Sequence, residues 1–367
     1  MKRIIIIIFI LATTLTVFAQ NQVYRLLIGT YTNTGKSEGV YSYSIDMKLA
    51  LITQKSVTKG ITNPSFLNIS ADGKFVYAVS ESANGSAANA FLLDKKNEKL
   101  QFINTSLTKS KGPCYICSTP KHVFTANYGG GSITVFGIKP DGSLTDILQL
   151  IQHKGKSINS ERQNEPHVHQ AIMTPDNKFL LCNDLGIDKV TVYNYNSKND
   201  KNILSPFDSL TVKLGSGPRH LTFSKNGRCI YLLQEIDGTL SVLEIKRGKL
   251  RLIQETTVDN NKDIVNRSAD IHISPDGKFV YATNRGTANN ITCFSTNNDG
   301  KLTFRQQISS GGVGPRNFAI TPDGSYIFVA NQQSNNIIIF ERNKKSGILT
   351  NTGKQIEVGA PVCLLFY

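Results

Sequence analysis

Tryptophan is absent from this 367-residue chain, and with it the Trp-Asp signature of one large class of repeat proteins. Six cysteines are too few for a small disulfide-stapled scaffold, and a chain of this length does not need one. Cys182, Cys229 and Cys293 fall inside apolar runs, where a thiol serves as a small hydrophobe. Cys114 and Cys117 spell C-x-x-C, but on a strand an offset of three sends the two side chains to opposite faces; neither a redox pair nor a zinc knuckle is expected. There is no amphipathic stretch of roughly 10 to 15 residues, which argues against βαβ units. Acidic residues are in short supply, 27 against 41 lysines and arginines, for a formal charge of +14. The lysines scatter along turns and tails, with no basic helix or aromatic-basic module. Nucleic acid is therefore not an expected partner, and the charge favours solubility and small anions.

Long hydrophobic runs are missing too, except at the start. MKRIIIIIFILATTLTVFAQ has the basic residues, apolar stretch and Val17-Phe18-Ala19 cleavage site of a secretory signal. Residues 1–19 are expected to be removed, leaving 20–367 as a single domain in the periplasm or outside the cell. The run is short for a bilayer span and holds three threonines, so no stable membrane span is expected. No cysteine follows it to take a lipid. Loss of Lys2 and Arg3 lowers the charge from +14 to +12.

What is present is a repeat. NPSFLNISADGKFVYAVSE (63–81), PHVHQAIMTPDNKFLLCND (166–184), GPRHLTFSKNGRCIYLLQE (217–235), SADIHISPDGKFVYATNR (268–285) and GPRNFAITPDGSYIFVANQ (314–332) share one pattern, and GPCYICSTPKHVFTANYGGGSITVF (112–136) is a degenerate copy. Each is a short apolar run, a tight Asp/Asn-Gly type turn and a second run, followed by further short β runs. The turn glycines at 73, 227, 277 and 324 imply a period of roughly 50 residues, suited to four-stranded propeller blades. Six repeats span about 63 to 350. The C-terminal GAPVCLLFY resembles a first strand, and YRLLIGTYT with GVYSYSID resembles the later ones. Joined, they predict an all-β, seven-bladed β-propeller whose terminal strands share one blade and so leave no open edge.

Residues that build a blade should recur, whereas those serving one central site should differ between blades. Seven positions before the turn Asp or Asn stand Ser65, His169, Arg219, Ala269 and Arg316; the matching strand ends carry Glu81, Asp184, Glu235, Arg285 and Gln332. First strands line the central channel, so His169, Arg219, Glu235 and Arg285 are expected to meet at one mouth. His167, His220, Asp184 and Arg316 are expected around the ligand. His167 and His169, two apart on an expected strand, share a face that could suit a metal with His220, although no metal or cofactor is required. The Gly129–Gly131 run lacks the strand-to-helix context of a phosphate loop. The polar insertion 153–165 could form a lid or specificity wall, with Arg162 as its contribution to an anion pocket.

IGTYT (28–32), ANYGGGSITVF (126–136), EPHVHQ (165–170), NDLGIDKVTVY (183–193), GPRHLTFSKNG (217–227), SADIHISPDGKFVYATNRG (268–286) and FVANQQSNNIIIF (328–340) together resemble the seven-bladed lactonase family, which includes propeller-type 6-phosphogluconolactonase and carboxy-cis,cis-muconate cyclase. The resemblance implies a cleft with a histidine, two arginines and a glutamate, carried over as His169, Arg219, Glu235 and Arg285, with His167 as the alternative histidine. It implies hydrolysis of a sugar-acid lactone without a cofactor. A muconate-type cycloisomerase and a non-catalytic propeller binding an acidic glycan or protein partner are the competing readings. The expected assembly is a monomer or weak homodimer.

Overall fold

The computed structural model describes residues 23–261 and 263–367; the expected leader lies outside them. The described residues form 28 strands in seven four-stranded antiparallel sheets, with one short 3₁₀ turn at Leu185–Ile187. Blades one to six span 67–107, 113–152, 168–211, 218–257, 268–309 and 315–357. In the seventh, the C-terminal strand Pro361–Phe366 pairs with Val23–Thr30, which continues into Gly39–Asp46 and Leu51–Lys59. The seven-bladed ring closed by both ends of the chain is as the repeats imply. No helix among the described residues is long and apolar enough to cross a membrane.

The repeated turn explains the common first hairpin. In blade one, Asp72 accepts from Lys74 N and Ser70 Oγ, while Ser70 Oγ accepts from Phe75 N. Gly73 takes φ +66 there, a left-handed position that costs glycine little. Asn177, at φ +54, fills that place in blade three, as asparagine tolerates it best among other residues. The core is then built between blades. Seven apolar clusters occupy the seven blade junctions, for example Tyr231, Val242, Ile271 and Phe294 between blades four and five. Sheets buried on both faces explain why the inner strands read as apolar runs without clean alternation.

Two features of the inner strands place the functional residues. Their register slips at the same point in successive blades, between Pro113 and Tyr115, Val168 and Gln170, Pro218 and His220, Ser268 and Ile271, and Pro315 and Asn317. The bulged residue is left out of the ladder and re-aimed, which turns Cys114, His169, Arg219 and Arg316 toward the channel. The following residue ties its blade to the next one. Gln170 accepts from Leu221 N at 2.7 Å, His220 donates to Asp270, Asp270 accepts from Asn317 and Phe318 N, and Asn317 accepts from Leu364 N at 2.7 Å. Leu67 N donates to Cys363 Sγ at 3.3 Å. A polar belt therefore runs from blade three through blade seven to blade one, directly beneath the bulged residues.

Candidate active site

A cavity of about 380 Å³ opens at the bulged end of the channel, lined by Tyr31, Glu81, Cys114, Tyr128, Arg162, His169, Glu235, Arg267, Arg285 and Arg316. Its charged centre is Glu235 at the end of the second strand of blade four. Glu235 Oε2 accepts from Arg219 Nε at 2.8 Å and lies 3.2 Å from Arg285 Nη2, while Oε1 accepts from Arg162 Nη2 at 2.7 Å. Burial alone would raise this carboxyl, but Arg285, Arg219 and Arg162 outweigh it and hold Glu235 far below the usual carboxylate range. It is therefore an anion that orients guanidinium groups and a poor proton acceptor.

Arg219 was expected at the mouth. It lies instead beneath the cavity, 2% exposed, and donates also to Ala269 O. It reaches the cavity through Glu235, because the bulge turns its long side chain along the channel. Arg285 is the blade-five counterpart and does line the cavity, held by its Nε to Arg267 O at 2.9 Å. Burial weakens the hold of Arg285 on its proton, to about 9, with Arg219 and Arg316 adding to the effect and Glu235 opposing it. Five arginines, 162, 219, 267, 285 and 316, stand against two glutamates, 81 and 235, an excess of three positive charges in and under one cavity. An anion entering it relieves that crowding.

His169 is 5% exposed on the cavity floor. Burial, followed by the fields of Arg219, His220, Arg316 and Arg285, holds its pKa well below 6.5, so it is a neutral base throughout the physiological range. Cys114 Sγ lies 3.9 Å from its Nδ1. Burial pushes that thiol up to about 12, which makes it a neutral neighbour and a poor nucleophile. Elsewhere in the lining Glu81 accepts from Tyr31 Oη at 2.9 Å and from Ser65 Oγ, and the Arg316 guanidinium sits over the Tyr31 ring at 5.2 Å.

Three expected ligand contacts fall elsewhere. Asp184 is fully buried and caps the 3₁₀ turn, accepting from Gly186 N, His167 N and His153 Nδ1. It faces its own turn because the chain reverses immediately after it. His167 precedes its strand instead of sharing a face with His169. Its ring stacks on Tyr128 at 4.4 Å and donates to Tyr128 O, so it supports the cavity wall from behind. His220 lies one layer down in the polar belt, 4% exposed. Among the described residues no three His, Cys, Asp or Glu side chains form a metal-binding group.

The 153–165 insertion is a fixed wall. His153 bridges Asp184 and Tyr193 Oη, Ser157 binds Asp188, and Gln163 donates to Leu185 O and Asp188. These anchors deliver Arg162 to Glu235 and, at 3.4 Å, to Tyr128 Oη. Tyr31, Glu81, Cys114, Tyr128 and Arg267 were not among the expected site residues. Glu81 carried a signal, standing at the same strand end as Glu235.

A polar cleft of about 690 Å³ shares Tyr31, Glu81 and Tyr128 with this cavity and adds Asn33, Thr34, Ser82, Lys111 and Gln332. A larger hollow of about 790 Å³ lies between blades four and five at the turn side. Its charged residues include exposed surface chains such as the Arg251–Glu244 pair, and it is remote from the channel.

Residues 25–366 match the family model described as lactonase, 7-bladed beta-propeller. The chain is 32% identical over 346 residues to a 6-phosphogluconolactonase of Bacillus subtilis, covering 92% of this chain and 97% of that protein. A solved Bacteroides fragilis structure superposes with a TM-score of 0.90 at 40% identity, over 95% of this chain and 99% of that one. The periplasmic gluconolactonase of Pseudomonas aeruginosa does so with a TM-score of 0.90 at 32% identity, over 94% and 99%.

Proposed function

The chain belongs to the seven-bladed β-propeller lactonase family, and from that premise we propose that it is a lactone hydrolase whose substrate is a sugar-acid lactone. The observation that carries this reading is the pairing of a neutral buried His169 with a cluster of arginines braced by Glu235. Hydrolysis of a cyclic ester needs a base for the attacking water and fixed positive charge where the carbonyl oxygen becomes anionic. His169 supplies the first. Arg285 and Arg316, lining the same cavity, supply the second without having to reorganise. Glu235 holds the Arg285 fork in place, and the polar cleft beside Tyr31 and Tyr128 gives hydrogen-bonding groups for sugar hydroxyls. The tetrahedral intermediate collapses by expelling the ring oxygen, which takes up the proton removed from water.

The leader motif supports export, and outside the cytoplasm a sugar lactone without a phosphate is the better substrate. The test is to incubate the mature protein with δ-gluconolactone and its 6-phosphate and follow acid release. Catalysis of the unphosphorylated lactone, lost in His169→Ala, is expected. Acid release no faster than spontaneous opening with either lactone overturns the reading.

A further inference from the structure

His220 has its ring held by a carboxylate and its other nitrogen buried without a partner, a combination that no other histidine among the described residues shows. Its Nδ1 donates to Asp270 Oδ1 at 2.8 Å, which fixes the proton on that nitrogen and leaves Nε2 as an acceptor. Nε2 is buried and has no partner. Such an atom carries a desolvation cost unless something fills the space in front of it. The space exists. A small void bordered by Ser65, Phe66, Cys114, His169, Arg219, His220, Arg316, Asn317 and Val362 leaves about 10 Å³ for the centre of a water, room for one molecule. His169, Cys114 and Arg316 border this void on one side and the reaction cavity on the other. The His169 and His220 rings meet edge to face, with centroids 5.1 Å apart.

Resting on the lactonase reading, we infer that His220, backed by the Asp270 carboxylate, is a proton relay behind His169, with His272 holding the other oxygen of Asp270. Asp270 Oδ2 accepts from His272 Nε2 at 2.9 Å, and the His272 side chain is 43% exposed. Since both histidines donate to Asp270, the route is His169, a water in the void and His220, with Asp270 as the counter-charge behind it. His169 takes a proton among arginines, where an imidazolium is disfavoured. Passing it to His220 Nε2 places the positive charge against the Asp270 carboxylate. The proton goes back along the same path to the departing ring oxygen, and the product acid loses its own proton, so one water is consumed and the relay is restored. His220 and Asp270 touch no substrate and act as positioning residues.

The groups facing His220 are Arg219 on its own strand, Asp270 and His272 from blade five, His169 from blade three, Tyr115 from blade two and Phe66 from blade one. Burial and Arg219 push His220 down to about 4 while Asp270 opposes them; burial and the fields of Arg219, His220, Arg316 and Arg285 push His169 in the same direction. The competing role is purely mechanical, since His220–Asp270 is also one link of the polar belt. The two are separated by kinetics on δ-gluconolactone. For His220→Gln the relay requires kcat to fall at least tenfold with KM within twofold, and the proton inventory in mixed H₂O and D₂O to change from curved to linear. For His272→Gln, outside the cavity, loss of the imidazole that holds Asp270 is expected to lower kcat severalfold at any buffer concentration, with KM within twofold. Wild-type pH profile and inventory in both variants, with only a lower Tm, overturn the relay; should His220→Gln not fold, the His272→Gln result decides. Absence of turnover by the wild type instead overturns the lactonase reading and the relay with it.

Discussion

Glu235→Gln is the most informative single change, because it keeps the shape of the side chain and removes the charge that three guanidinium groups share. The Arg162 contact involves a side chain one third exposed and contributes little after solvent screening. The Arg219 and Arg285 contacts are enclosed, at 2%/7% and 14%/7% side-chain exposure. Removing one partner of a buried ion pair costs about 3–5 kcal/mol, chiefly through the charges left behind. In a domain of this size 1 kcal/mol corresponds to roughly 2 °C, so Tm should fall by roughly 6–10 °C at pH 7. The pH dependence has a definite sign. The folded pKa of Glu235 is depressed, so its contribution is complete above the unfolded value of about 4.3 and disappears as pH falls toward the folded value. The Tm gap between wild type and variant should therefore be level from about pH 8 to 5 and narrow below about 4. Inorganic phosphate should raise the Tm of the variant more than that of the wild type, since it replaces the lost anion. Calorimetry over this pH range tests all three statements. A gap under about 2 °C at pH 7, or one that widens on acidification, refutes the reasoning.

Arg285→Lys keeps the charge but loses the planar fork, and kcat/KM for δ-gluconolactone should fall by about 10²-fold; a change under threefold would remove Arg285 from oxyanion stabilisation. Because His169 is neutral well below pH 6.5, kcat/KM should be level from about pH 6 to 8. An acid limb near 6.5 in the pH–rate profile would contradict its burial among arginines. All six cysteines are free and buried, so a thiol reagent should label none of them in the folded protein and all six after denaturation, with no reductant needed. Asp184→Asn should lower Tm by several degrees and raise KM more than it lowers kcat, because Asp184 anchors the insertion and the His167 backbone without touching the cavity.

The ring and its blades were legible because each repeat carries its own turn, and a turn fixes the register of the two strands beside it. Counting back from the turn also found the channel residues, for a reason visible only in the structure. The bulge falls at the same position in each of these blades, so a constant offset selects the re-aimed residue. Cys114 escaped because its degenerate repeat, with Pro120-Lys121-His122 at the turn, has no Asp/Asn-Gly pair to count from. Tyr31, Tyr128 and Arg267 lie just outside strands, in connections with no periodicity. Asp184 shows the limit of the method. Strand ends in neighbouring blades align in sequence, but whether such a residue faces the ligand or caps its own turn depends on the next three residues, here Leu185–Ile187. Arg219 stands at the bulge that the count selects, and its side chain reaches Glu235 from beneath the cavity.

Closing the ring with Pro361–Phe366 means that the first described strand, Val23–Thr30, waits for the last. Until those residues arrive, Val23–Thr30 has an unpaired edge, Asn317 lacks the Leu364 amide and Leu67 N lacks the Cys363 sulfur. Such distant pairings are slow to form. A chain shortened by these few residues would thus lose a blade junction on each side of the gap, and its exposed strand edge would invite association with other copies. Completeness of the polypeptide is in this way a condition for the channel to have a wall at all.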